Sequence, residues 1–219
     1  LTAPSAEERR RIRFAGVRAP KPLLDAETER RLSARQLELL DELEASVLRD
    51  GLAGLTMAEI AARVNCSLRT LYGIAPSKEE LILTIVDRRL HRIGRAAVGQ
   101  LDASMSPLDA LRAYLHAASV AVQPESVAFG EALAHLPGAQ RLIDAHEHYV
   151  VAVTQNLLER ARDAGEIRPV DTAAVAHVLG GLGREFSRPG VAEIAAASPK
   201  ETADAVTDVI LRGLAVPTD

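Results

Sequence analysis

At four places along this 219-residue chain, a hydroxyl residue precedes a Glu or Gln by three positions and stands ahead of an apolar series with helical spacing: Ser33–Gln36, Thr56–Glu59, Ser77–Glu80 and Ser198–Glu201. In such a capping box the hydroxyl accepts from the N3 amide while the N3 side chain reaches back to the first N–H. Ser106-Pro107 is a further start, with proline at the first helical position. Apolar residues then recur every three or four positions. Ile82, Val86, Leu90 and Ile93 share one face, as do Leu108, Leu111, Leu115, Ala118 and Val122, and as do Ala203, Val206, Ile210 and Leu214. No alternating run bounded by turns indicates a strand. The chain reads as all-α, with about nine helices expected near 33–50, 56–63, 67–73, 77–100, 106–123, 125–135, 138–164, 171–186 and 199–214.

Composition agrees with that pattern. Hydrophobic residues make up 47% of the chain, yet aromatics are 3% and Trp is absent, so the core is built from aliphatic side chains that suit helix-on-helix packing. No apolar run approaches the roughly 20 residues of a membrane span, and no signal-peptide pattern is present. The single cysteine, Cys66, excludes an intrachain disulfide framework and fits a reducing compartment. A soluble, cytoplasmic protein without a membrane partner is expected.

The net charge of −4 conceals an asymmetry. Residues 1–92 carry 16 Lys and Arg against 14 Asp and Glu, whereas residues 93–219 carry 10 against 16. Arg9, Arg10, Arg11 and Arg13 are nearly contiguous within an N-terminal stretch, 1–32, expected to be a flexible basic arm. A basic front on an acidic chain favours a polyanionic partner, although a solvated tail has the same composition.

The segment from Thr56 to Leu81 carries the most information. Thr56 caps a short helix whose inward residues are Met57, Ile60, Ala61 and Val64. Asn65-Cys66-Ser67 forms a tight turn in which Asn tolerates left-handed backbone and Ser67 caps the next helix. That helix, Ser67 to Tyr72, hides Leu71 and exposes Arg69, Thr70 and Tyr72. A short helix, a turn and a second polar-faced helix make a helix-turn-helix, whose second helix enters the DNA major groove.

Here the chain resembles the TetR family. The matching residues are Ile60-Ala61, Ser67, Thr70-Leu71-Tyr72 and Ser77-Lys78-Glu79-Glu80-Leu81, with Gly51 and Thr56 ahead of them, and the likeness covers about Leu37 to Leu90. Asn65 stands where the family usually has Gly. Gly73-Ile74-Ala75 replace a more aromatic segment, and Glu44 and Ser46 occupy positions that are usually apolar.

The resemblance implies a DNA-binding domain at 33–80 and a helical ligand-binding and dimerisation domain at 81–219. It implies phosphate contacts from Thr56, Tyr72 and Lys78. Arg69 and Thr70 are the candidates for reading base edges, with Ser67 as the cap of their helix and Arg9, Arg10 and Arg11 as added contacts from the arm. It further implies a homodimer, with Ala174, Val178, Gly181, Val206, Ile210 and Leu214 lining the seam, and a small-molecule effector among the middle helices. Tyr114, His116, Phe129, His146 and Tyr149 are candidates for that effector site, and each also suits an ordinary core position.

Other motifs carry less. Cys66 at an apolar turn position reads as a small core residue. His146-Glu147-His148 diverge on a helix and find no third ligand at zinc-site spacing, so no metal is expected. Gly180-Gly181-Leu182-Gly183 follows a helical run rather than a strand, which argues for close helix contact and against a phosphate loop. No cofactor motif or nucleophile–base spacing appears, and no enzyme activity is expected. The function expected is a ligand-responsive repressor that binds a double-stranded DNA operator. A helical-bundle enzyme and a dimeric interaction module without specific DNA binding remain as alternatives.

Overall fold

The structure, a computed structural model, describes residues 12, 14–24, 26–50, 52, 54–122, 133, 136–192 and 194–217. Among these the chain forms α1 (Ala26–Arg31), α2 (Ala34–Asp50), α3 (Met57–Arg63), α4 (Leu68–Tyr72), α5 (Lys78–Gly99), α6 (Pro107–Ala118), α7 (Ala139–Asp163), α8 (Thr172–Phe186), α9 (Pro189–Ala192) and α10 (Pro199–Leu214), with a 3-10 turn at Ser119–Val122. No strand occurs among the described residues; Ile167 and Ala215 form an isolated bridge. The all-α expectation is borne out. Apart from Leu133, the helix expected at 125–135 lies outside the described residues.

The hydroxyl starts perform as their spacing requires. Thr56 and Ser198 close complete capping boxes. At Ser33 the Gln36 amide donates to the hydroxyl at 3.2 Å and the Ser33 amide donates to Gln36 at 3.0 Å. Ser77 and Ser106 accept from the amides three residues on, each at 3.1 Å. At the far end of α7, Gly165 takes φ +73°, and the Glu166 amide reaches back to the Ala161 carbonyl at 2.9 Å. That left-handed cap turns the chain so that Arg168 and Val216 exchange backbone bonds with Leu214 and Glu166, each at 2.9 Å.

The described residues fall into two compact units. The first lies within Pro20–Arg92 and Glu125–Ala145, the second within Leu1–Ala19, Ile93–Pro124 and His146–Asp219. In the first, Leu39, Leu40, Leu43 and Val47 of α2 bury one stripe against Ile60, Ala61 and Val64, Leu71, and Leu81 and Ile85 of α5. Each fully buried aliphatic side chain contributes roughly 1.5–3 kcal/mol. A smaller cluster joins Ile82 and Val86 to Leu133 and Ala139.

Glu44 and Ser46, the polar residues on α2, are buried there. Glu44 is met by Arg89 at 3.3 Å and by Arg92. Arg88 pairs with Asp41 and stands 3.8 Å from Glu29. Asp87 is buried as well, accepting from the Leu23 amide at 2.8 Å and facing His91 at 3.4 Å.

In the second unit, Ala110, Leu111, Tyr114 and Leu115 of α6 pack with Val153, Leu157, Leu158 and Ala161 of α7, Ala176 and Leu179 of α8, and Leu211 of α10. Gly180 explains how α8 comes so close to α7: a Cβ there would stand 2.6 Å from Val151 Cγ2. Within the stretch read as an arm, two parts have structure. Residues 26–31 form α1, and Ile12, Phe14 and Val17 pack against the second unit's core, with the Arg160 guanidinium 5.7 Å from the Phe14 ring centroid.

Candidate nucleic-acid interface

The site is assembled by local bonds. The Glu59 amide donates to Thr56 Oγ1 at 3.3 Å, and the Thr56 amide donates to the Glu59 carboxylate at 2.7 Å. Those bonds from Thr56, the backbone one foremost, hold the Glu59 carboxyl below its ordinary pKa, and Lys78 adds to the effect. At the other end of α3, Asn65 takes φ +48°. Its amide donates to the Ala62 carbonyl at 3.2 Å, and the Cys66 amide donates to the Ala61 carbonyl at 2.9 Å. This pair of bonds is the Schellman stop, in which the residue after the left-handed one packs back on the helix. Cys66 does so, partly buried against the core that holds Ile60. Burial, the main cause, pushes its thiol pKa up and lowers its reactivity.

Ser67 then caps α4. Its hydroxyl accepts from the Thr70 amide at 3.1 Å and lies 2.8 Å from the Thr70 hydroxyl. On this five-residue helix Leu71 is buried, while Arg69 is exposed and Tyr72 is 54% exposed. Thr70 is half-buried and its hydroxyl is engaged by the cap, so Arg69 is the freer of the two candidate base readers. Leu68, 41% exposed, is the outward position that sequence reasoning passed over. The available signal was an apolar residue directly after the cap, three positions before the inward Leu71.

The replaced aromatic segment also has a packing account. Ala75 is buried and Ile74 packs on the same core, while a Cβ at Gly73 would meet Gln36 Nε2 at 3.2 Å and the Thr70 carbonyl at 3.3 Å. The turn after α4 thus seats two aliphatic residues and has little room at position 73. Arg9, Arg10 and Arg11 lie outside the described residues.

The remaining candidates lie mostly in the second unit. Tyr114 is fully buried, His146 is buried and Tyr149 is half-buried. His116 lies 3.3 Å from Asp208 of α10, which also faces Arg112 at 3.4 Å. Phe129 lies outside the described residues. Of the seam candidates, Ala174 is exposed and Val178 is 53% exposed, and Gly181 and Val206 are half-buried. Ile210 and Leu214 pack against the unit's own core, and the outward apolar positions of α10 are Ala205 and Val209, the latter 64% exposed.

Residues 106–214, about half of the chain, match the family model for the tetracyclin repressor-like C-terminal domain. The chain belongs to the TetR family. No curated protein matches it. The fold of this TetR-family protein is shared with solved structures of low sequence identity. A TetR transcription regulator from Haloarcula marismortui is 18% identical, with a TM-score of 0.71 over 84% of this chain and 100% of that one. A protein from Saccharomonospora viridis, described as a transcriptional regulator and solved with choline, is 16% identical, with a TM-score of 0.69 over 85% and 100%. SmeT, the repressor of a Stenotrophomonas maltophilia multidrug efflux pump, is 20% identical, with a TM-score of 0.63 over 85% and 92%. Among the described residues, no helix is long and apolar enough to cross a membrane.

Proposed function

We propose that this TetR-family protein is a sequence-specific DNA-binding repressor that acts as a homodimer and releases its operator when a small molecule binds. The observation that carries the reading is α4: a Ser67-capped helix after a left-handed turn, held by buried Leu71, with Arg69 and Tyr72 directed outward. Arg69 reads a base edge, and exposed Leu68 is suited to a thymine methyl. Thr56, Tyr72 and Lys78 set the register on phosphates, with Ser67 and Thr70 fixing the helix they border. Residues 33–80 form the DNA-binding domain, and Arg9, Arg10 and Arg11 add affinity from the N-terminal arm.

Two half-sites require two-fold symmetry. Exposed Ala174, Val178 and Val209 supply an apolar face for a second copy, with Gly181 and Val206 beside them. Residues 81–219 form the effector-binding and dimerisation domain, with Tyr114, His146 and Tyr149 as effector-site residues and His116 held in place by Asp208. The choline complex of one structural neighbour and the efflux-pump repressor among the others support a small-molecule response.

The test is a gel shift with DNA from upstream of the protein's own gene, against random DNA of equal length. Retardation of the upstream fragment at salt that abolishes random binding supports the reading. Equal behaviour of the two fragments overturns it and leaves an interaction module or a helical-bundle enzyme.

A further inference from the structure

The core of the second unit contains oxygens with nothing to bond. Tyr114 on α6 has no exposed surface, and its hydroxyl has no hydrogen-bond partner. Thr154 on α7 is equally buried, and its hydroxyl is also unpartnered, not even returning to the backbone of its own helix. Buried polar groups nearly always have a partner, so two such hydroxyls in one core need a reason.

The surroundings narrow that reason. Alanines at 110, 117 and 118 flank Tyr114 one turn away on α6, so its phenol is the large oxygen-bearing side chain on that buried face. Burial pushes the Tyr114 pKa far up, with Tyr149 adding to it, so the group is a neutral donor and acceptor at any physiological pH. Apart from His146, the other buried polar side chains described in this unit are Thr154, Thr172 and Thr207, none of which carries charge. The charges nearest this core face opposite charges or an imidazole: Glu147 stands 3.1 Å from Arg184, and Asp208 stands 3.4 Å from Arg112 and 3.3 Å from His116. A carboxylate or ammonium brought among these uncharged side chains would lose its hydration.

Building on the effector-response reading above, we infer that the effector is an uncharged, mainly apolar molecule whose single hydrogen-bonding oxygen, an alcohol or carbonyl, is met by the Tyr114 hydroxyl, with Thr154 as a second polar contact. Binding satisfies groups that the ligand-free core leaves unsatisfied, which favours the ligand-bound arrangement.

Three probes with one ten-carbon chain separate the possibilities: 1-decanol, decanoate and decyltrimethylammonium, each below its aggregation limit, with the full chain. Thermal unfolding and calorimetric titration are measured for the parent, Tyr114→Phe and Thr154→Val. Decanol should raise Tm while the two ions do not. Tyr114→Phe should leave the ligand-free Tm unchanged or higher, because it removes an unpartnered oxygen, and should weaken decanol binding about three- to tenfold. Should that variant fold poorly, Thr154→Val serves with the same panel. A larger Tm rise with either ion overturns the inference while leaving a ligand-responsive regulator intact. Undiminished decanol affinity in both variants, a destabilised ligand-free Tyr114→Phe, or no rise with any probe overturns it too.

Discussion

In the first unit the buried carboxylates have opposed charges or a backbone donor: Glu44 meets Arg89 and Arg92 through Oε1, its Oε2 being without a hydrogen bond, and Asp87 lies between the Leu23 amide and His91. In the second unit the buried hydroxyls of Tyr114 and Thr154 are left unmet. The first arrangement fixes geometry. Opposed charges on α1, α2 and α5 specify one register of those helices, the rigidity that the base contact proposed for Arg69 would require. The second arrangement carries a small cost, which the proposed effector would remove on binding. On the proposed function, charge marks the part of the molecule that holds still, and unpaired neutral oxygens mark the part that accepts a ligand.

The sharpest way to break that comparison is Glu44→Ala. It strips the counter-charge from Arg89, which is nearly buried, and should cost about 3 kcal/mol of unfolding free energy, read as a lower urea midpoint at unchanged slope. Pairing Glu44→Met with Arg89→Leu should recover most of the loss. Thr154→Val in the other unit should cost nothing or stabilise. If Glu44→Ala loses less than Thr154→Val, the contrast between the units collapses.

The next effect is on assembly. Val178→Glu and Val209→Glu place charge at positions exposed in the single chain, so folding should survive. In a proposed two-fold interface each would bury an unpaired charge. Sedimentation should show monomers, and operator affinity should fall about thirtyfold, near 2 kcal/mol. A variant that remains a dimer with parental affinity would move the interface off α8 and α10.

These two regions were also unequally legible in the sequence. The helix-turn-helix rests on bonds between residues at most five apart: Thr56 with Glu59, Asn65 with Ala62, Cys66 with Ala61, Ser67 with Thr70. Such bonds are written in spacing, and so was the all-α fold. The Glu44–Arg89 pair spans 45 positions, and nothing local distinguishes Glu44 from a solvated acid on a helix. On α10, helical spacing alone could not decide which of Val206, Val209 and Ile210 faces outward, because the apolar stripe is broad. The structure turns Val209 out and Ile210 in. The unpartnered state of Tyr114 is likewise a property of the packed core and not of α6.

A third test asks whether the held unit reads sequence. Arg69→Ala should lower affinity for the specific site by about 1.5 kcal/mol, with a much smaller loss on random DNA. Equal losses on both would reduce Arg69 to a phosphate contact. A fourth compares neighbouring glycines on α8. Gly180→Ala drives a methyl toward the β-branched Val151, and the crowding should outweigh the gain in helix propensity, for a net loss of about 1 kcal/mol. At Gly181 the new methyl would meet Glu147 Oε1 at 3.7 Å, ordinary contact, so Gly181→Ala should keep the propensity gain and stabilise the fold. Equal Tm changes would mean that α8 can move away from α7.

The smallest effect is at Asn65, where the family usually has glycine. Its φ of +48° costs most side chains about 1–2 kcal/mol, and asparagine less. Asn65→Gly removes that strain but adds freedom to the unfolded chain, so the two changes should nearly cancel, within about 0.5 kcal/mol. Asn65→Ala has no such offset and should cost about 1 kcal/mol. It should also loosen the Schellman stop, which sets where α4 begins. Hydrogen exchange at the Cys66 amide, bonded to the Ala61 carbonyl, reads that loosening directly. Faster exchange in Asn65→Ala than in Asn65→Gly would show that left-handed backbone at this position, rather than the asparagine side chain, holds the turn. Equally fast exchange in both variants, faster than in the parent, would give the role to the side chain, and glycine and asparagine would then not be interchangeable at this corner.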